Sequence, residues 1–313
     1  MTSYVEPSFN AIRNVIDMTG AVYSPDLLRR YHLSLKTRRF VILSGVSGSG
    51  KTLLTRMYAD AVNAEYCLVP VAPNWTTNED LLGYYNPLSK QYYDTDFSNF
   101  LRQASRAYRN AINVNKQPEP FHLVLDEMNL ARVEYYFAKF LSGMEVLTSA
   151  GRAQVTMSGQ DVVELPPNLY FIGTVNVDET TQGFADKIYD RAQVIEVTHD
   201  RNEVASRIKV PEIQDSLMAI WDAVAEIMPF SIRVVDEINR YVGEAARIGI
   251  PWQDAFDDQI IQKILPRIKG TDIRLGVMLQ RLNDITVNRF PRSNFKIQQL
   301  SYGFHTNGIV SFF

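Results

Sequence analysis

The chain has 313 residues, 46% of them hydrophobic and 21% charged, which is enough for one large α/β domain and a smaller companion, each with its own core. A formal charge of -3 excludes a molecule drawn onto nucleic acid by overall basicity, so any such contact would be local. The single cysteine, Cys67, excludes an internal disulfide framework, and the histidines His32, His122, His199 and His305 lack metal-ligand spacing.

The opening MTSYVEPSFN has neither the basic nor the apolar region of a signal peptide, and no apolar run approaches the roughly 20 residues of a membrane span. A soluble protein of the reducing cytoplasm, with no membrane partner, is expected. Ser24-Pro25 before DLLRRYHLSLK reads as an N-cap and a first-turn proline opening a helix that ends in basic residues, as its dipole favours. FVILS (40–44) follows as a short, continuously apolar segment, the mark of a parallel strand covered on both faces. AEYCLVPVA (64–72), HLVLDE (122–127), LYFIGTVN (169–176) and QVIEVT (193–198) repeat that character with helical stretches between them. Two inserts, YYNPLSKQYYD (84–94) and EVLTSAGRAQVTMSGQDVVELPP (145–167), read as hairpins. Lys90 among tyrosines gives the first a surface suited to nucleic acid or a partner, or simply a hairpin packed on its own domain. Past Thr198 the pattern turns to amphipathic helices: NEVASRI, IQDSLMAIWDAVAEIM, IRVVDEINRYVGEAARI, DDQIIQKILPRI and LGVMLQRLNDITV. The expected domains are an N-terminal segment and helix (1–37), an α/β domain with hairpin inserts (38–199), a helical domain (200–290) and an unassigned tail (291–313).

Chemistry concentrates in three places. The loop Gly45, Val46, Ser47, Gly48, Ser49, Gly50, with Lys51, Thr52 and Leu53, lies between an apolar strand and the helix-forming LLTRMYADAV. Glycines let backbone N–H groups turn inward on phosphates, the helix N-terminus adds positive potential, Lys51 reaches the β and γ phosphates, and Thr52 offers a hydroxyl to Mg²⁺. Asp126 and Glu127 close a strand together, suited to hold Mg²⁺ through water and to activate the attacking water. Asn176 ends another strand, where it serves either as a turn residue or as a group holding the lytic water or the γ-phosphate. His122 reads as a core or edge residue with a satisfied hydrogen bond.

The order of these motifs, followed by Asp190-Arg191 and a helical region, resembles the AAA+ superfamily over roughly residues 20 to 290. Within it the chain resembles the branch containing McrB, the motor subunit of modification-dependent restriction systems, and the MoxR-like ATPases. TTNEDLLGYYNP is similar to that branch's helix-2 insert, DEMNLARVEYYFAKFLSGME to its second-strand motif, and GTVNVDETT to its sensor-1 region. The resemblance implies a P-loop three-layer αβα parallel sheet with a C-terminal helical lid, binding Mg²⁺ with ATP or GTP. It makes Asn176 sensor 1, Arg191 a finger reaching a neighbour's γ-phosphate, Arg132 a second interface candidate, and Arg233 a sensor 2 acting in cis. Against these stand an Asp190-Arg191 surface pair and a solvated arginine at a helix start. Val175-Asn176-Val177-Asp178-Glu179-Thr180 departs from McrB's Met-Asn-x-x-Asp and arginine, so McrB's preference for GTP does not carry over. The implied assembly is a hexameric homo-oligomeric ring driving an McrC-like nuclease in defence, with DNA engaged through the complex. The segment ahead of Phe40 is short for a DNA-reading domain, and the sequence carries no PD-(D/E)xK-like nuclease pattern. A MoxR-like chaperone acting on protein alone, or a nucleotide-gated assembly module, is the alternative.

Overall fold

Alternate residues of each central strand face opposite sides, and in this chain both sides are apolar. Phe40 and Ile42 belong to one buried cluster, and Val41 and Leu43 to another. The computed structural model, which describes residues 3–150, 153–157, 161–177 and 182–313, folds into two units, Met1–Val197 and Thr198–Phe313.

The first unit opens with α1 (Phe9–Met18) and α2 (Pro25–Arg38), the latter capped by the Ser24 hydroxyl, which accepts from the Leu27 amide at 3.2 Å. Then come β1 (Phe40–Gly45), α3 (Lys51–Ala61), β2 (Glu65–Pro70), α4 (Asn78–Leu82), the hairpin β3 (Gly83–Asn86) and β4 (Gln91–Asp94), and α5 (Asp96–Asn113). They are followed by β5 (Phe121–Asp126), a 3₁₀ turn (Met128–Leu130), α6 (Val133–Tyr136), α7 (Ala138–Ala150), the hairpin β6 (Ala153–Thr156) and β7 (Val162–Leu165), β8 (Leu169–Asn176), α8 (Asp186–Tyr189) and β9 (Gln193–Glu196).

Five strands form one parallel sheet in the order β2-β5-β8-β1-β9. Ile12, Leu28, Leu35, Leu54 and Tyr58 cover one face. The other face packs an aromatic group in which the Phe97 ring lies 4.9 Å from Phe140 and the Phe137 ring 5.5 Å from Phe171. Each such buried side chain contributes about 1.5–3 kcal/mol relative to exposure. The register sets Gly45 beside Asn176 and Leu125 beside Gly173, so β1, β8 and β5 end together at one edge of the sheet. There the chain leaves parallel strands for loops and helix starts.

The second insert is a hairpin in part only. Residues 145–150 continue α7. The hairpin itself pairs Ala153 with Leu165 and Thr156 with Val162. Residues 151–152 and 158–160 of that insert lie outside the described residues.

The second unit consists of α9 (Arg201–Arg207), α10 (Gln214–Val224), α11 (Ile232–Arg247), α12 (Trp252–Gln259), α13 (Arg274–Thr286) and α14 (Pro291–Asn307) around Leu217, Ile238, Phe256, Leu279 and Ile297. DDQIIQKILPRI is not one regular helix. It leaves α12 through a π turn (Ile260–Ile264) and a 3₁₀ turn containing Pro266, a residue that cannot donate an amide. The tail that the sequence left unassigned is mostly α14. Its first amides are capped from α12, where the buried Asp257 carboxylate accepts from Arg292 N at 2.9 Å and Ser293 N at 2.8 Å. At its far end, Gly308 adopts φ 69 and donates to the Phe304 carbonyl. Among the described residues no helix is long and apolar enough to cross a membrane.

Candidate nucleotide site

The loop after β1 turns through Gly48 at φ 80 and Gly50 at φ 87, values open to glycine and strained for other residues. Gly50 precedes α3 with no side-chain cap hydrogen bond, and the amides of a helix start are suited to an anion. Lys51 is 5% exposed, and its Nζ donates to the carbonyls of Gly45 at 2.9 Å and Val46 at 2.8 Å. A buried ammonium needs such acceptors, and phosphate oxygens would supply stronger ones.

From Thr52 a chain of side-chain hydrogen bonds crosses the strand ends. Thr52 Oγ1 donates to Asp126 Oδ1 at 2.7 Å, and Thr174 Oγ1 donates to the same oxygen at 2.6 Å. Thr174 Oγ1 in turn accepts from the Glu127 amide at 2.9 Å. The Glu127 Oε1 atom accepts from Asn176 Nδ2 at 2.9 Å. Glu127 lies just past β5 rather than within it, at φ 52, a left-handed conformation uncommon for a residue with a side chain. The neighbouring turn is packed tightly: a Cβ on Gly173 would lie 1.9 Å from Met128 Sδ. Asn129, 3% exposed, donates from Nδ2 to the Asn176 carbonyl at 3.2 Å.

Residues 40–192 match the family described as an AAA domain of the dynein-related subfamily, and residues 193–309 match a domain of unknown function, DUF8727. The first unit is an AAA+ NTPase domain. No curated protein matches the chain.

The AAA+ domain brings Lys51, Thr52, Asp126, Glu127 and Asn176 to one edge of its sheet, and it adds two residues that sequence reasoning passed over. Thr174 ties Asp126 to the Glu127 backbone, and Asn129 holds the Asn176 carbonyl. The one signal for Thr174 was its place two residues before Asn176, on the same side of the strand. Asn176 ends β8 at 5% exposure with its amide on Glu127, so it is not a solvent-facing turn residue.

The donor set suits Mg²⁺. Among the described residues no group of three or more His, Cys, Asp or Glu gathers to hold a metal unaided. Mg²⁺ bound with a nucleotide needs only one or two protein oxygens beside phosphate and water. Thr52 Oγ1 and Asp126 Oδ1, 2.7 Å apart, would hold it, and the ion would there neutralise phosphate charge. Glu127 is placed to orient a water once Asn176 shares or releases its carboxylate.

The arginines divide. Arg191, two residues past α8, is engaged within its own chain: it donates from Nε to the Leu141 carbonyl at 3.1 Å and from Nη1 to the Lys187 carbonyl at 3.0 Å, and it pairs with Glu145. The surface pair weighed against its finger role is therefore with Glu145, not Asp190. Arg132 is exposed, with its guanidinium 5.7 Å from the Tyr135 ring centre. Arg233 is exposed in the first turn of α11, in the helical unit. Asp178, Glu179 and Thr180, where the sequence departs from McrB, lie outside the described residues.

His122 requires a correction. It is buried between two tyrosines, stacked on Tyr58 with ring centres 5.9 Å apart and edge-on to Tyr170 at 5.2 Å, but among the described residues its Nδ1 has no hydrogen-bond partner. Desolvation, aided by Lys36, pushes its pKa down to about 3, so the ring is neutral.

Proposed function

We propose that this AAA+ NTPase is the motor or switch subunit of a ring, hexameric as its resemblance to McrB implies, that hydrolyses ATP to drive a separate effector. The observation that carries hydrolysis is the bond sequence from Thr52 through Asp126, Thr174 and Glu127 to Asn176, which gathers metal-binding, water-orienting and amide groups on one sheet edge. A chain that only held nucleotide would not need Glu127. Arg191 is the trans arginine, supported by its position after α8; assembly would exchange its bond to Glu145 for a neighbour's γ-phosphate. Arg132 is a second interface arginine and Arg233 a sensor of the phosphate state. The effector is an McrC-like nuclease in a modification-dependent restriction complex, supported by DEMNLARVEYYF and GTVN. The exposed Tyr84 and Tyr93, stacked with ring centres 5.5 Å apart, provide a contact surface on the first hairpin.

The test is hydrolysis of ATP and GTP over a series of protein concentrations, with Glu127→Gln and Arg191→Ala beside the parent. Turnover that rises steeply with concentration and is lost in both variants supports a ring with a trans arginine. Turnover independent of concentration and of Arg191 refutes the trans assignment, and a preference for GTP refutes the choice of base.

A further inference from the structure

The region that matches the AAA domain begins at residue 40, yet the P-loop is held from outside it. Tyr23, in the link between α1 and α2, donates its hydroxyl to the Gly50 carbonyl at 2.8 Å. Its ring lies against the same residue: a Cβ on Gly50 would meet the Tyr23 hydroxyl at 2.8 Å and ring carbons at 3.3 and 3.4 Å. The link is anchored, because Ile12 and Ile16 of α1 and Leu27 and Leu28 of α2 share a buried cluster with Leu54 and Tyr58 of α3. Burial also pushes the Tyr23 phenol up from its ordinary value, which keeps the hydroxyl a donor.

The Gly50 carbonyl matters for what lies across its peptide bond. In a trans peptide the C=O and the next N–H point in opposite directions, so fixing the Gly50 oxygen fixes the direction of the Lys51 amide. That oxygen also accepts the first bond of α3, from Leu54 N at 2.8 Å. Two donors from different elements therefore hold one peptide plane whose N–H belongs to Lys51, the first residue of α3. Gly48 and Gly50 precede this plane in the loop, and without the Tyr23 donor more of its orientation would have to be set on binding, at a cost to affinity.

We propose that Tyr23 is a positioning residue of the nucleotide site, acting through Gly50 to aim the Lys51 amide at phosphate, so that the N-terminal helices contribute to nucleotide affinity. This inference rests on the nucleotide-site reading above. Tyr4 supplies a matched control. Its hydroxyl donates to the Val62 carbonyl at 2.9 Å, at the opposite end of the same helix.

The experiment is calorimetric titration of ATP with Mg²⁺ into Glu127→Gln protein, in which hydrolysis is blocked, with and without Tyr23→Phe or Tyr4→Phe, alongside thermal melts. Each phenylalanine variant removes one hydroxyl bond from the folded unit, so both lower the melting temperature by similar amounts. Tyr23→Phe weakens ATP binding about five-fold, the equivalent of one net hydrogen bond, and Tyr4→Phe leaves binding unchanged. Equal affinity for Tyr23→Phe and its parent overturns the inference alone, as does equal weakening by both substitutions. No binding by the parent overturns the nucleotide-site reading and the inference together.

Discussion

Replacing Thr174 with valine tests whether the two carboxylates act as one unit. Valine keeps the shape of threonine at a position only 1% exposed, so packing changes little and the loss is that of one oxygen. That oxygen makes two bonds, donating to Asp126 Oδ1 at 2.6 Å and accepting from the Glu127 amide at 2.9 Å. A hydrogen bond to a charged group is worth about 1.5–3 kcal/mol, and a buried amide left without an acceptor costs about 1–3 kcal/mol. Together they predict a loss of roughly 2.5–6 kcal/mol, divided between stability of the fold and geometry of the site. If 2 kcal/mol of that falls on the fold, the melting temperature drops by about 4–8 °C for a unit of this size. A similar share in the transition state slows turnover about 30-fold, because each 1.36 kcal/mol is a factor of ten. Steady-state ATP hydrolysis and thermal melts of the parent, Thr174→Val and Thr174→Ser measure both shares. Serine keeps the hydroxyl and should recover most of the turnover. Parental turnover and melting in Thr174→Val would refute the reasoning, and equal loss in valine and serine would transfer the effect to the missing methyl group.

Two further expectations concern the core beneath the site. His122, with its pKa held near 3 against an ordinary value of 6.5, stays neutral in the folded chain while the unfolded chain takes up a proton. Stability present above pH 6.5 is therefore lost as pH falls toward 3, by about 1.5 kcal/mol between pH 6.5 and 5. Denaturant melts across that window should show a shallower slope for His122→Phe than for the parent, and identical slopes would contradict the burial argument. Gly173→Ala places a methyl group 1.9 Å from Met128 Sδ and should cost about 1–3 kcal/mol, read as a lower denaturant midpoint. Adding Met128→Ala should recover part of that loss, and no recovery would mean that another neighbour sets the tight fit.

Much of this molecule is determined locally and is legible in its residues. The Ser24 cap, the short strands apolar on both faces, the glycine loop and the paired carboxylates depend on neighbours a few positions apart, and LYFIGTVN occupies Leu169–Asn176 as its pattern predicts. The helical character after Thr198 follows from periodicity in the same way. Other features depend on residues far apart in the chain. Helix α14 takes its cap from Asp257, and Arg191 pairs with Glu145; neither partner is implied by local spacing. Thr174 acquires its place because β8 enters the sheet between β1 and β5, which sets its hydroxyl against Asp126 and the Glu127 amide. Tyr23 meets Gly50 because α1 and α2 pack on α3. Local pattern determines which elements form and which residue types stand at their ends; which side chains then meet is decided by sheet order and helix packing, since those contacts join segments that the sequence holds apart.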